Sequence, residues 1–191
     1  MTPIASAVNR ISLMLPISRR TIEFVQLNLA RLKQMHPRLP ASTAAEYTNR
    51  AAVALQRQQH EPVCNLFVTF HDGSVGFTVE LDWPAASSTT ARQLDRHRVT
   101  EDGAEAVALG FVHEHRRWVV LRRLQRGEFA DWLMEDTGRR LVALEVSGID
   151  GQPDPGRVAE KVQQVANAIV TEHGCACVVA FGPPATSVAD V

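Results

Sequence analysis

Apolar and polar residues alternate most clearly between residues 66 and 83 of the chain. Two alternating runs flank Asp72-Gly73, a dipeptide typical of a tight turn between strands. The apolar positions are Leu66, Val68, Phe70, Val75, Phe77, Val79, Leu81 and Trp83. The pattern predicts a β-hairpin with one face buried, including all four apolar positions from Val75 to Leu81, and one face in water.

Helical periodicity precedes this hairpin. Ser18 is a predicted N-cap of a helix that runs to about His36, with an apolar stripe and Pro37 directly after it. Thr43-x-x-Glu46 matches a capping box and predicts a second helix that ends near Gln59.

The C-terminal half has a regular order of periodicities. A helix capped by Thr100 is followed by predicted strands at 118–125, 131–135 and 141–147. A long helix from Pro155 or Gly156 to about His173 leads to a last strand at 176–181, which Gly182-Pro-Pro ends. The order is α-β-β-β-α-β, and the crossover through the long helix makes its two flanking strands parallel. We therefore predict an α+β or α/β fold with a three-layer core and a mixed sheet, plus an N-terminal helical pair and β-hairpin.

A change of composition divides the chain. Residues 84–90 read PAASSTT and are the best linker candidate. We predict an N-terminal part at 1–83, a linker at 84–98, a core at 99–183 and a tail at 184–191. An isolated hairpin is marginally stable, so the hairpin should extend the core sheet or form an interface with a second copy or a protein partner.

Composition limits the class of protein. Of 191 residues, 45% are hydrophobic and 21% are charged, and the net charge is −1, which argues against a DNA-coating protein. Three cysteines are too few for a disulfide framework and favour a reducing cytosol. Cys175 and Cys177 should lie on one side of a strand as small buried hydrophobes. No apolar run reaches the roughly 18 residues of a membrane span, so we expect a cytoplasmic protein without membrane contact.

Two acidic residues stand out against this background. Asp131 begins one predicted strand, and Glu145, fourteen positions later, lies inside the next, almost wholly apolar one. A buried carboxylate is costly unless it is paired or binds a metal. The alternative to a metal is an ion pair between Glu145 and an arginine, for which Arg122, Arg123, Arg139 and Arg140 are the candidates.

The order of elements and the positions of the acids resemble the PD-(D/E)XK nuclease superfamily, over about residues 100–183. The resemblance implies that Asp131 and Glu145 hold Mg²⁺, with Glu105 on the preceding helix as an accessory ligand. It also implies hydrolysis of a nucleic-acid phosphodiester and a lysine that helps to activate the attacking water. Carboxylate oxygens are the ligands that Mg²⁺ prefers, and it commonly takes only one or two of them from the protein.

The sequence departs from this family at one position. The tripeptide is Glu145-Val146-Ser147, so serine stands where the family has lysine. One interpretation moves the catalytic cation to Lys161, one of two lysines in the chain, and another to Arg122 or Arg123. The alternative function is an inactive nuclease-like protein that binds a partner, as an accessory or antitoxin-like subunit.

Other side chains leave two interpretations open. Arg116, Arg117, Arg122 and Arg123 bracket Trp118 and form either a contact for nucleic-acid phosphate or an exposed charged edge. Lys161 and Glu105 would, on helix position alone, be solvated surface residues.

Overall fold

Strands from both halves of the chain join in one mixed sheet, as described by the computed structural model for residues 26–86, 94–168 and 170–191. The described strands are β1 (Gln26–Asn28), β2 (Val63–Phe70), β3 (Phe77–Asp82), β4 (Val119–Arg123), β5 (Trp132–Glu135), β6 (Leu141–Ile149), β7 (Gly174–Ala180) and β8 (Ala185–Asp190). The described helices are α1 (Leu32–Met35, after a 3₁₀ turn at Leu29–Arg31), α2 (Ala41–Arg57), α3 (Arg96–Arg116) and α4 (Pro155–Val165). The predicted mixed α/β fold class and the order α-β-β-β-α-β, here α3-β4-β5-β6-α4-β7, are confirmed.

The sheet order is β1-β3-β2-β8-β7-β6-β5-β4. β4, β5 and β6 form an antiparallel meander, and β6 continues through α4 into the parallel strand β7, as predicted. β8 then lies antiparallel to β7 and parallel to β2, which joins the N-terminal hairpin to the rest of the sheet.

Helices cover the sheet from both faces. The long helices α2 and α3 pack on each other and on one face, where Leu144 and Val146 of β6 join the main core. α4 packs on the other face, where Ala143 and Ala176 contact Val165. Alternate residues of one strand therefore point to different helices, which gives the three predicted layers.

The predicted hairpin is confirmed as β2 and β3. Leu66, Val68, Val79 and Leu81 are buried, whereas Phe67 on the opposite face is half exposed. The expectation for Val75 is wrong, since it lies in the turn region before β3 and is 90% exposed. Of the two roles predicted for the hairpin, extension of the core sheet is the one observed.

Several predicted helix ends differ from the observed ones. The helix predicted from Ser18 to His36 is wrong at Gln26–Asn28, which form strand β1, and residues 18–25 lie outside the described part. Thr43 does not cap α2, because the helix already begins at Ala41. α3 begins at Arg96, and Asp95 rather than Thr100 caps it by accepting a 2.9 Å hydrogen bond from the amide of Arg98.

The C-terminal predictions need two further corrections. α4 ends at Val165 and does not reach His173; Ile169 lies outside the described residues. The predicted tail at 184–191 is wrong for Ala185–Asp190, which form β8 in the middle of the sheet. Of the predicted linker, residues 87–93 lie outside the described part.

Within the described ranges, no helix has the length and apolarity needed to cross a membrane.

Candidate functional site

The register of the meander brings the two predicted acids together. Trp132 of β5 pairs with Leu144 of β6, so one step further along the same register Asp131 faces Glu145. Trp132 and Leu144 belong to the core under α3, and their sequence neighbours Asp131 and Glu145 therefore point to the α4 face.

Backbone hydrogen bonds fix Asp131 directly before the first residue of β5. Its amide donates to the carbonyl of Leu144 over 3.0 Å, and its Oδ2 accepts from the amide of Val146 over 2.9 Å. The guanidinium of Arg123 lies 3.9 Å from Oδ1. Asp131 keeps about a quarter of its side chain exposed (27%), so the site is partly open to solvent at this residue.

Glu145 lies deeper and has a lysine partner. Lys161 Nζ on α4 donates to Glu145 Oε1 over 2.6 Å and to Gln164 Oε1 over 3.1 Å. The two charged side chains are only 3% and 12% exposed. The alternatives of an arginine partner for Glu145 and a solvated position for Lys161 are therefore both wrong.

Electrostatics in this pair favour a proton on Glu145. Burial raises the pKa of Glu145 to about 7, the nearby charge of Asp131 adds to the rise, and Lys161 opposes it. Glu145 Oε2 is buried and has no hydrogen-bond partner among the described residues. A proton or a cation between the two carboxylates would supply that missing partner.

Ser147 also meets a cation from α4. Arg157 Nε donates to Ser147 Oγ over 2.9 Å, one helical turn before Lys161. Asp154 caps α4 by accepting from the amide of Gly156 over 2.8 Å, and Pro155 occupies the first turn, so the helix starts just before Arg157. The sequence interpretation missed Arg157. Its signal in the sequence is a match of spacings: Arg157 and Lys161 are four residues apart on a helix, and their partners Ser147 and Glu145 are two residues apart on a strand.

Glu105 belongs to α3, on the other side of the sheet, and is buried. Its carboxylate accepts a hydrogen bond from the Trp132 indole and pairs with Arg123 over 3.3 Å. Burial, and next the charge of Asp131, raise the pKa of Glu105 to about 8. The alternative of a solvated Glu105 is wrong, and the described residues contain no cluster of three or more histidine, cysteine or acidic side chains that could hold a metal.

The predicted basic cluster is compensated by acids. Arg116 pairs with Asp190, Arg117 with Glu114, and Arg122 with Glu128. Arg123 contacts Glu105 and Asp131, as described above. Contact of this cluster with nucleic acid stays a prediction. The side chains of Arg117, Arg122 and Arg123 remain about half exposed.

The donor set at Asp131 and Glu145 fits a hard divalent ion. It offers two carboxylates, one oxygen without a partner and a solvent-facing side at Asp131. Mg²⁺ keeps several waters and needs no more protein ligands than this. The same side chains can instead share a proton.

The two cysteines in β7 are core residues. Cys175 and Cys177 are free and fully buried in the main core, as predicted for small hydrophobes.

Comparisons of the chain with protein-family models, with curated proteins and with solved structures find no match.

Proposed function

We propose that this protein is a divergent Mg²⁺-dependent phosphodiesterase that acts on nucleic acid, with Asp131 and Glu145 as metal ligands. The observation that carries the proposal is the 2.6 Å contact of Lys161 Nζ with Glu145 Oε1. It supplies, from a helix, the cation that Ser147 does not provide on the strand. The PD-(D/E)XK resemblance noted in the sequence agrees with this arrangement.

Each residue has a distinct task in this proposal. The bound metal would neutralise charge on the phosphate and lower the pKa of a water. Asp131 presents a carboxylate on a partly exposed side chain, and Glu145 presents the oxygen that lacks a partner. Lys161 holds Glu145 through Oε1 and carries a proton at Nζ beside the carboxylate pair. Glu105, tied to Trp132 and Arg123, acts through Arg123 on the position of Asp131 rather than as a direct ligand.

Nucleic acid as the substrate class is supported by two half-exposed arginine side chains, of which Arg123 lies 3.9 Å from Asp131. Arg122 and Arg123 belong to β4, at the sheet edge beside β5. Surface ion pairs such as that of Arg122 with Glu128 contribute little, so a phosphate can replace the carboxylate at low cost.

The test combines metal binding with cleavage. Mg²⁺ or Mn²⁺ at millimolar concentration should raise the melting temperature of the wild type, because a ligand that binds only the folded state stabilises it. Glu145→Ala should abolish the rise. The wild type should cut plasmid or single-stranded substrates with Mg²⁺, and Lys161→Met should lower the rate by about 10²-fold or more, as for loss of a general acid or base.

Lys33→Met is the matched control, since Lys33 is the other lysine of the chain and bonds only to backbone carbonyls of Pro37 and Leu39 in the described structure. It should leave the cleavage rate unchanged. Absence of both a thermal shift and cleavage would rule out the proposal.

A second candidate function is that of an inactive nuclease-like protein that binds a protein partner. The near-complete burial of Glu145, with Lys161 already on one of its oxygens, favours this candidate, because an ion would have to enter a closed pair. It predicts no divalent-ion binding by calorimetry and no cleavage by the wild type. Ser147→Lys combined with Arg157→Ser returns the cation to the strand, and gain of cleavage in that variant alone would support the inactive candidate.

A further inference from the structure

Two basic residues of α4 form matching contacts with two residues of β6. Lys161 donates a hydrogen bond to Glu145. Arg157, one helical turn before Lys161, donates to Ser147, which lies two residues after Glu145 on the strand. Residues four apart on a helix share a face, as do residues two apart on a strand. The two contacts therefore lie side by side along the interface between α4 and β6.

Arg157 of α4 contacts both β6 and α3. Its Nε bonds Ser147, which is fully buried in β6, and its Nη2 lies 3.9 Å from Glu101 of α3. Glu101 in turn accepts a 3.1 Å hydrogen bond from the amide of Gly148. α3 meets β6 closely here, because a Cβ on Gly148 would lie 2.2 Å from the carbonyl oxygen of Thr100.

The apolar contacts of α4 are less directional than this contact. The helix has 11 residues, and it packs on the sheet mainly through valine and alanine side chains. These are Val158, Val162 and Val165 against Ala143, Ala176, Val178 and Ala189, with the partly buried Ile149 packed beside them. Small, similar side chains tolerate sliding of a helix, whereas a hydrogen bond to a buried hydroxyl group does not.

We propose that Arg157 is a positioning residue of the site: its bond to Ser147 sets the register of α4 on β6 and thereby keeps Lys161 Nζ on Glu145 Oε1. The catalytic meaning of this role rests on the proposed function, whereas the positioning itself does not. Ser147 then has a role of its own as the hydrogen-bond acceptor for Arg157, because a lysine at this position would place a second cation against Arg157.

Chemical labelling of lysine tests the positioning without any activity. An amine-acylating reagent followed by mass spectrometry reports Lys161, with Lys33 in the same molecule as reference. In the wild type, Lys161 should be protected. Arg157→Met should raise its labelling relative to Lys33 about tenfold, the factor expected for one lost hydrogen bond to a charged donor.

Two further variants control this experiment. Glu160→Gln removes only the exposed partner of Arg157, at 2.8 Å, and should leave Lys161 protected. Arg157→Lys keeps one donor towards Ser147 and should restore most of the protection. Ser147→Ala is a smaller change that removes the acceptor, and it serves if Arg157→Met does not fold.

Cleavage assays separate positioning from the proposed function. If the wild type cuts, Arg157→Met should lower kcat about tenfold and leave KM unchanged, and Arg157→Lys should recover kcat. Unchanged protection of Lys161 in folded Arg157→Met and Ser147→Ala would overturn the inference. If labelling changes as expected but the wild type never cuts, the proposed function fails and the positioning role stands.

Discussion

His36 is a buried imidazole with both ring nitrogens in use. Its Nδ1 accepts from the amide of Val120 over 3.2 Å, so its Nε2 carries the proton and donates to the carbonyl of Leu109 over 3.0 Å. Burial lowers the pKa of His36 to about 4. Both the geometry and the burial therefore require a neutral ring.

Because of His36, the free energy of unfolding should decrease as the pH falls below about 6.5. The unfolded chain binds a proton to His36 near pH 6.5, whereas the folded protein resists it down to about pH 4. The contribution of His36 is thus complete above pH 6.5 and is lost as the pH falls towards 4. It amounts to about 3 kcal/mol, at about 1.4 kcal/mol for each pKa unit.

Urea unfolding at several pH values measures the effect. The difference in free energy of unfolding between the wild type and His36→Gln should shrink by that amount between pH 7 and pH 4. His97 is an exposed histidine of α3, and His97→Gln should show the same pH dependence as the wild type. Parallel curves for the wild type and His36→Gln would contradict the prediction. Glu145 and Glu105 act in the opposite direction, because their pKa values are raised by folding, and they remove stability as the pH rises from about 4.5 to 7 or 8.

Residue chemistry explains which parts of the site were predictable. Asp131 and Glu145 were visible because an acid in an apolar strand is unusual, and the strand register then makes them neighbours. Lys161 was named only because the chain has two lysines. Arg157 was missed because its partner, Ser147, is uncharged, so only the matching spacing of the two residue pairs could have pointed to it.

At the scale of elements, β8 is the strand that connects the N-terminal hairpin to the rest of the sheet. It pairs with β2 on one side and β7 on the other, and Val188 within it is buried in the main core. Val188→Asp places an unpaired charge there and should lower the free energy of unfolding by more than about 3 kcal/mol.

Val191→Asp is the matched control for this substitution. Val191 is partly exposed just after the strand, so the same change there should stay within about 0.5 kcal/mol of the wild type. Urea unfolding of both variants gives the comparison, and similar losses for the two would mean that β8 contributes little.

Weak local patterns explain the errors at this scale. Ala185–Asp190 contains three small residues and one threonine among six positions, so it lacks the large apolar residues that predict a strand. Leu29 and Leu32 have helical spacing, but Leu29 lies in a 3₁₀ turn after strand β1. The long strands β2 and β6 were predicted because each carries several Val, Leu or Phe residues.

For the whole molecule, continuity of the sheet predicts that the C-terminal half depends on the N-terminal half. A fragment that starts at Ala91 would lose β1–β3, leave β8 as an unpaired edge and uncover the α3 face that packs on α2. We expect it to be poorly soluble, or to melt at a lower temperature than the full chain. Size-exclusion chromatography and thermal circular dichroism check this; a monomeric fragment as stable as the full chain would show an independent module.

The fold class was predictable because it depends on the order of periodicities. Helix and strand patterns gave α-β-β-β-α-β without any knowledge of the sheet edges. The pairing of the hairpin with β8 was not predictable, since parallel pairing between distant strands has no local signature in the sequence.

The pairing of β2 with β8 also affects how fast the chain folds. Thr69 and Ser187, on neighbouring strands, are 118 positions apart, whereas β4, β5 and β6 follow one another closely. Closing a long loop costs entropy before its contacts form, and ln k for folding falls as the mean sequence separation of contacts rises. We expect the α3–β7 segment to become ordered early and the docking of the N-terminal hairpin onto β8 to limit the folding rate. Any chaperone that shields β8 or β2 would then act at the slowest step.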